Sequence, residues 1–239
     1  MIASGKGPRR SPARRQGQRM EEAVRTVLFD LDGTLVDSAP DLAAALSRLM
    51  AARGLPGFTR EEVIPLIGDG ARVLVARAFA ARGAAPDPAA LAEFLADYEA
   101  NAAVATRPFP GIPEALSALR RQGWRLAVCT NKPAAPARAL LAALGLAPAF
   151  AAVVGGDSLP VRKPDPGHLL GTVAAAGSDS ARAAMVGDHA NDILAADAAG
   201  MPALFCAWGY GRAEMARGAA IAERAADLPE LLAALLPAA

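Results

Sequence analysis

Two aspartates one residue apart, Asp30 and Asp32, stand at the end of a short apolar run, Val27-Leu28-Phe29, and are followed by Gly33 and Thr34. The run reads as a strand buried on both faces. Side chains two apart on a strand point the same way, so the two carboxylates can converge on one small volume beyond its carboxyl end. In open parallel sheets that edge is where ligands bind. Like charges held so close raise each other's pKa unless something compensates, and Mg²⁺, a hard cation that takes oxygen ligands, is a suitable compensation. A strand-end Asp can be a nucleophile toward phosphorus, and a second Asp beside it can act first as acid and then as base. The bland alternative is a turn, because Asp-Gly after a strand is ordinary hairpin chemistry.

Three later segments offer polar groups in the same way. Arg125-Leu-Ala-Val-Cys129 is a core strand that ends in Thr130-Asn131-Lys132, and Ala184-Met-Val186 ends in Gly187-Asp188, with Asp192 four residues on. Thr130 and the amides after it can hold a phosphate oxygen where a helix begins. Lys163, before Pro164-Asp165-Pro166, is a lone cation on a stiff loop, suited to neutralising phosphoryl charge. Asp188 and Asp192 add carboxylates for a cation. Taken singly, Thr130 and Asp165 also fit helix caps, and Lys163 and Asp192 fit solvated charges. His168 and His189 have no partner at ligand spacing and read as structural or solvent-facing.

The elements that must position these groups follow from hydrophobic rhythm. After Pro108-Phe-Pro-Gly111 the chain alternates: helices at 112–122, 134–145, 166–176 and 190–199, strands at 125–130, 151–155, 183–187 and 202–207. This predicts an α/β fold, a Rossmann-like parallel sheet with helices on both faces. Between the first strand and Arg107 the pattern is helical. Ser38 with Asp41 and Thr59 with Glu62 have capping-box spacing, Leu42, Leu46, Leu49 and Met50 recur on one helical face, and further helices are expected near 59–65, 70–82 and 88–102. The expected organisation is a catalytic core from 24–37 and 108–239, an all-helical domain inserted at 38–107, and a basic tail at 1–23.

The 239 residues, 53% hydrophobic, suffice for one or two domains with a sizeable core. Apolar stretches are interrupted before reaching the ~20 residues that a membrane helix needs. Cys129 and Cys206 lie in apolar strands and are expected to be reduced and buried, which favours a cytoplasmic setting. Residues 1–20 carry six cations and no acid; with a total of +1, the rest is 1 − 6 = −5. That tail is expected to be disordered, with Met20 as an alternative start, and neither it nor the acidic body suggests a nucleic-acid or membrane partner.

Asp30-Leu-Asp32-Gly-Thr34, Thr130-Asn131, Lys163-Pro-Asp165-Pro and Gly187-Asp188 with Asp192 together resemble the four motifs of the haloacid dehalogenase superfamily of phosphohydrolases. Within it the chain is similar to the phosphoglycolate phosphatases, through Ile67-Gly-Asp-Gly-Ala71 and Leu74, Pro110-Gly-Ile112, Thr130-Asn-Lys-Pro133 and Gly155-Gly-Asp157. The resemblance implies that the helical insert is a mobile cap and that Asp30 is the nucleophile, forming an aspartyl phosphate. It implies that Asp32 is the acid and base, that Thr130, Asn131 and Lys163 hold phosphoryl oxygens, and that Gly33 also contacts the phosphoryl group. Asp30, the backbone carbonyl of Asp32 and Asp188 would bind Mg²⁺, with Asp192 in support. The substrate is expected to be a small phosphate monoester such as 2-phosphoglycolate. The glycine-rich loop Gly68-Asp69-Gly70, with Arg72 on the helix that follows, is expected to read its carboxylate. A sugar-phosphate phosphatase, a mutase and a non-catalytic phospho-ligand binder are the remaining readings, and a monomer or homodimer is expected. A receiver-type signalling domain fits less well, because its phosphoacceptor lies on a later strand, and a metal-free dehalogenase lacks a use for Asp32-Gly33.

Overall fold

A computed structural model describes residues 24–101 and 103–237; the basic tail lies outside the described residues. The chain enters through β1 (Thr26–Phe29), passes β2 (Val36–Asp37), and continues into α1 (Ala39–Ala51), α2 (Arg60–Val63), α3 (Ala71–Ala81) and α4 (Ala90–Asn101) before returning at β3 (Arg107–Pro108). The second part then runs α5 (Ile112–Arg121), β4 (Arg125–Cys129), α6 (Ala134–Ala143), β5 (Ala152–Val154), α7 (Pro166–Ala175), β6 (Ala183–Gly187), α8 (Ala190–Ala199), β7 (Ala203–Cys206), β8 (Ala220–Ala222) and α9 (Leu228–Leu235). Six strands form one parallel sheet in the order β5-β4-β1-β6-β7-β8.

Strand alternation sorts the side chains into two cores. Val27 and Phe29, Leu126 and Val128, and Ala184 and Val186 join a cluster with α5, α6 and α9, while Leu28, Ala127, Cys129 and Met185 join one with α7 and α8. A sheet buried on both faces needs continuous apolar strands, which is what these segments supply. Strand β8 and helix α9 fall beyond the last element expected from the sequence pattern; α9 caps the first cluster with Leu228 and Leu232.

The four helices between β2 and β3 pack on a separate apolar cluster built from residues such as Leu46, Met50, Leu74, Phe79 and Phe94. The two connections to this unit pair with each other as an antiparallel ribbon, Val36 with Pro108 and Asp37 with Arg107. Hydrophobic rhythm alone gave no strand there, since two-residue strands are too short to carry a period. The second capping box is present: Glu62 N–H donates to Thr59, and Thr59 N–H donates to the Glu62 carboxylate. Ser38 and Asp41 do something else. Ser38 flanks α1 without capping it and donates to Asp32 Oδ1 at 2.6 Å. Asp41 accepts from Ala105 N, Thr106 N and Thr106 Oγ1, so it ties the start of the helical unit to the chain's way out of it.

Candidate active site

The register of three strands assembles the site. Phe29 pairs with Val128 on one side and Val186 on the other, so Asp30, Thr130 and Asp188 emerge together at the carboxyl edge, where the strand order switches about β1. Asp30, Thr130 and Asp188 are all buried, as are Lys163 and Asp192. Lys163 reaches this point because Asp165 caps α7 by accepting from Gly167 N, and because Asn131 Nδ2 donates to the Lys163 carbonyl at 2.9 Å. Asp192 sits in the first turn of α8, where its Oδ2 accepts from His189 N at 3.0 Å.

Lys163 Nζ is enclosed by acceptors: Asp192 Oδ1 at 2.6 Å, the Cys129 carbonyl at 2.7 Å and Asp30 Oδ1 at 3.0 Å. Burial opposes its charge, but Asp192 and Asp30 outweigh this and hold the ammonium above the ordinary lysine range. The contact to Asp30 is close but off the hydrogen-bonding direction, so Asp30 Oδ1 is buried without an aligned donor. Buried oxygens of this kind are rare unless a ligand uses them.

Asp30, Asp188 and Asp192 each bring a carboxylate oxygen within 4.8 Å of the others. Three carboxylates against one ammonium leave −3 + 1 = −2, which a divalent cation balances, and an all-oxygen donor set suits a hard one. Burial, then the charges of Asp30 and Asp192, push Asp188 up to about 8, although Tyr210 N and Thr34 Oγ1 both donate to its carboxylate. Asp192 is also pushed up, by burial and by Asp30 against the opposing pull of Lys163. This strain between like charges is what a bound cation relieves. Gly33 belongs to the same arrangement: its φ is +87° and a Cβ there would collide with the Asp188 carboxylate.

Asp32 points to a different partner. Its carboxylate accepts from Ser38 Oγ and from Lys132 Nζ, the latter at 3.1 and 3.2 Å, and Lys132 Nζ also donates to Tyr98 Oη at 2.9 Å. The sequence places Lys132 in the polar exit of its strand but gives it no role, and nothing in the local pattern marks Tyr98 as its partner. Asn191 is a further site residue that no local pattern marks. It donates to Asp69 Oδ1 at 2.7 Å, and Asn131 donates to the Gly68 carbonyl at 2.9 Å, so two core asparagines hold the loop of the helical unit against the sheet edge. The loop after β7 also contributes, with no local pattern to mark it. Tyr210 N donates to Asp188 while Tyr210 Oη donates to Asp37, where Gly209 and Gly211 let the backbone approach Asp188.

Between the sheet edge and the helical unit lies a cavity of about 40 Å³, with Asp30, Asp32, Thr130 and Asn131 on its floor and Gly68, Gly70, Leu74 and Tyr98 on its far side. Asp69 is turned away, paired with Asn191 and with Arg77 at 2.6 Å. Arg72 is exposed and does not line the cavity. Thr130 Oγ1 accepts from Lys132 N, and α6 begins only at Ala134, whose N–H donates to Asp157. The histidines are packing residues. His168 is buried with Nδ1 accepting from Lys163 N, and His189 caps α8. Both cysteines are buried free thiols, and among the described residues no helix is long and apolar enough to cross a membrane.

Comparison with known proteins agrees with this geometry. A phosphoglycolate phosphatase of Caulobacter vibrioides is 47% identical over 189 residues, covering 77% of this chain and 80% of its own length. The crystal structure of a predicted phosphoglycolate phosphatase from Haemophilus somnus superposes with a TM-score of 0.81 at 32% identity, covering 87% of this chain and 97% of that one. CbbY from Rhodobacter sphaeroides in complex with phosphate gives 0.74 at 26% identity, covering 86% and 96%. The family model for haloacid dehalogenase-like hydrolases matches residues 24–200, a span that contains Asp32, Lys163 and the three clustered aspartates Asp30, Asp188 and Asp192. The chain therefore belongs to the haloacid dehalogenase-like hydrolases.

Proposed function

We propose that this protein is a Mg²⁺-dependent phosphoric monoester hydrolase whose substrate is 2-phosphoglycolate, and that the helical unit at 38–107 is a cap closing over the site. The observation that carries the reading is the buried cluster of Asp30, Asp188 and Asp192 against a single ammonium, of which Asp30 lines a small cavity together with Asp32. The similarity to proteins named phosphoglycolate phosphatase supports the choice of substrate.

Asp30, Asp188 and Asp192, with the backbone carbonyl of Asp32, would hold Mg²⁺. When bound, the ion neutralises charge on the phosphoryl oxygens and screens the carboxylates from one another. An Asp30 oxygen attacks phosphorus as the ester P–O bond breaks, and Asp32 delivers a proton to the departing alkoxide, leaving an aspartyl phosphate. Asp32, now a carboxylate, takes a proton from a water whose oxygen attacks the same phosphorus. The bond to Asp30 breaks, and phosphate and the free carboxylate are restored. Lys163, with Thr130, Asn131 and the Gly33 backbone, faces the phosphoryl oxygens. Uncatalysed phosphate monoester hydrolysis calls for enhancements of up to about 10²¹, so fixed charge and positioning must supply most of the catalysis.

A sugar phosphatase or mutase would need polar groups to receive a ring's hydroxyls. Much of the cavity wall facing the floor is instead Leu42, Ile67, Leu74, Phe94 and Leu95, against which unpaired hydroxyls would be costly. The test is a screen of purified protein against small phosphoesters with Mg²⁺. The highest kcat/KM is expected for 2-phosphoglycolate, with activity abolished by EDTA and restored by Mg²⁺. Faster turnover of sugar phosphates would overturn the substrate, and activity indifferent to EDTA would overturn the metal.

A further inference from the structure

The floor of the cavity faces the phosphoryl group that every candidate substrate shares, so the groups that choose among substrates must lie above it. Among the described residues lining the cavity, Lys132 is the one cation. Arg72 is exposed, and Arg77 is tied to Asp69. Lys163 lies outside that lining, and its Nζ is held by Asp192, the Cys129 carbonyl and the charge of Asp30. Lys132 is differently placed. Its Nζ stands 3.1 and 3.2 Å from the two oxygens of one carboxylate, Asp32, and 2.9 Å from Tyr98 Oη, so one N–H shared between those two oxygens and one given to Tyr98 serve both partners. A third remains for a ligand.

We propose that Lys132, oriented by Tyr98, binds the carboxylate of the substrate's leaving group and is the residue by which the site selects small carboxylated phosphoesters. This rests on the reading of the chain as a phosphatase of that class and names the residue that enforces it. The chemistry fixes the distance. Asp32 must approach the leaving oxygen to protonate it, and in a glycolate ester the carboxyl carbon is two bonds from that oxygen. A cation in contact with Asp32 is therefore within reach of the carboxylate. The apolar wall around it removes competing water, which strengthens an ammonium–carboxylate contact. Tyr98 lies on α4, in the helical unit, and its ring also sits 4.2 Å from Lys132 Nζ, so the ammonium has this second support, beyond Asp32, while that unit rests on the core. Closure thus completes the carboxylate site.

The test compares 2-phosphoglycolate, 3-phosphoglycerate and the carboxylate-free analogue 2-hydroxyethyl phosphate in wild type, Lys132→Met, Lys132→Arg and Tyr98→Phe, all with Mg²⁺. Lys132→Met is expected to lower kcat/KM for all three through its lost contact with Asp32, and to lower the two carboxylated esters a further 10- to 100-fold, mainly in KM. Lys132→Arg should recover part of that preference, and Tyr98→Phe should lose part of it. Binding of 2-phosphoglycolate to the turnover-blocked Asp30→Asn protein, measured by calorimetry, should weaken by a similar factor when Lys132→Met is added. If the carboxylated and carboxylate-free esters fall by the same factor, the inference is overturned while the phosphatase reading stands. If wild type prefers another carboxylated ester to 2-phosphoglycolate but Lys132→Met still erases the preference for the carboxylate, the substrate assignment falls and the inference holds. Should Lys132→Met fail to fold, the Lys132→Arg and Tyr98→Phe ratios decide the matter: unchanged ratios in both overturn it.

Discussion

At the residue scale the site is organised by charge that the fold leaves only partly balanced. Lys163 answers Asp192 directly, while Asp30 keeps a buried oxygen without an aligned donor and Asp188 is pushed up to about 8. Asp30→Asn is nearly isosteric but cannot form an acyl phosphate, so turnover should fall by more than about 10³-fold. The same change removes one of the two charges that repel Asp188. Thermal melts of the metal-free variant should therefore show a Tm equal to or above that of wild type, and a marked drop would mean that Asp30 holds the fold together rather than performing chemistry.

At the element scale, the helical unit is held to the sheet edge by a few directed bonds. Asn191 and Asn131 reach the loop between α2 and α3 at Asp69 and Gly68. Removing the first by Asn191→Ala forfeits roughly 1–2 kcal/mol of closure, and kcat/KM should fall about 5- to 30-fold with faster amide exchange at residues 67–70. Unchanged exchange there would show that the bond does not hold the loop. Gly70 carries a different lesson. The sequence suggests that a bulky residue here would hinder carboxylated esters selectively. In the fold, Gly70 has φ of +86° and a Cβ would lie 2.9 Å from the Asn131 carbonyl oxygen. Gly70→Val must therefore strain the backbone and push the loop from the core whatever the substrate. Carboxylated and aryl phosphates should lose kcat/KM by similar factors, and a selective loss would restore the loop as the reader of the carboxylate.

Across the whole molecule, the floor of the site is tied to the stability of the core beneath it. His168 is buried on α7, accepts from Lys163 N and lies near the Gly155 carbonyl. Burial, then the Lys163 charge, push it down to about 4 from 6.5, while the Gly155 carbonyl, Asp30 and Asp165 pull the other way. Because the folded pKa lies below the unfolded one, this group's contribution is complete above the unfolded value and is lost as pH falls toward the folded one. The loss is on the order of 2–3 kcal/mol between pH ~6.5 and ~4. Melts across that window should fall more steeply for wild type than for His168→Asn, which keeps an acceptor for Lys163 N without titrating. Parallel slopes would show that the carboxylates alone govern acid stability.

The sequence by itself determined the central strands, their polar exits and hence the floor of the site. Val27-Leu28-Phe29, Arg125–Cys129 and Ala183–Gly187 are apolar enough to be buried on both faces, and a chain of alternating strands and helices has few ways to lay such strands side by side. Once they are parallel, Asp30, Thr130 and Asp188 must meet at one edge. The carboxylates were legible because their positions are set by local pattern. What covers and supports them was not. Lys132 meets Asp32 across 100 residues and Asn191 meets Asp69 across 122, and Ser38 and Asp41 leave their local capping pattern for tertiary partners. Periodicity reports which face of an element is buried, but not which side chain of a distant element will stand opposite. That depended on the register of the sheet and on the docking of the helical unit, and only the tertiary structure decided it.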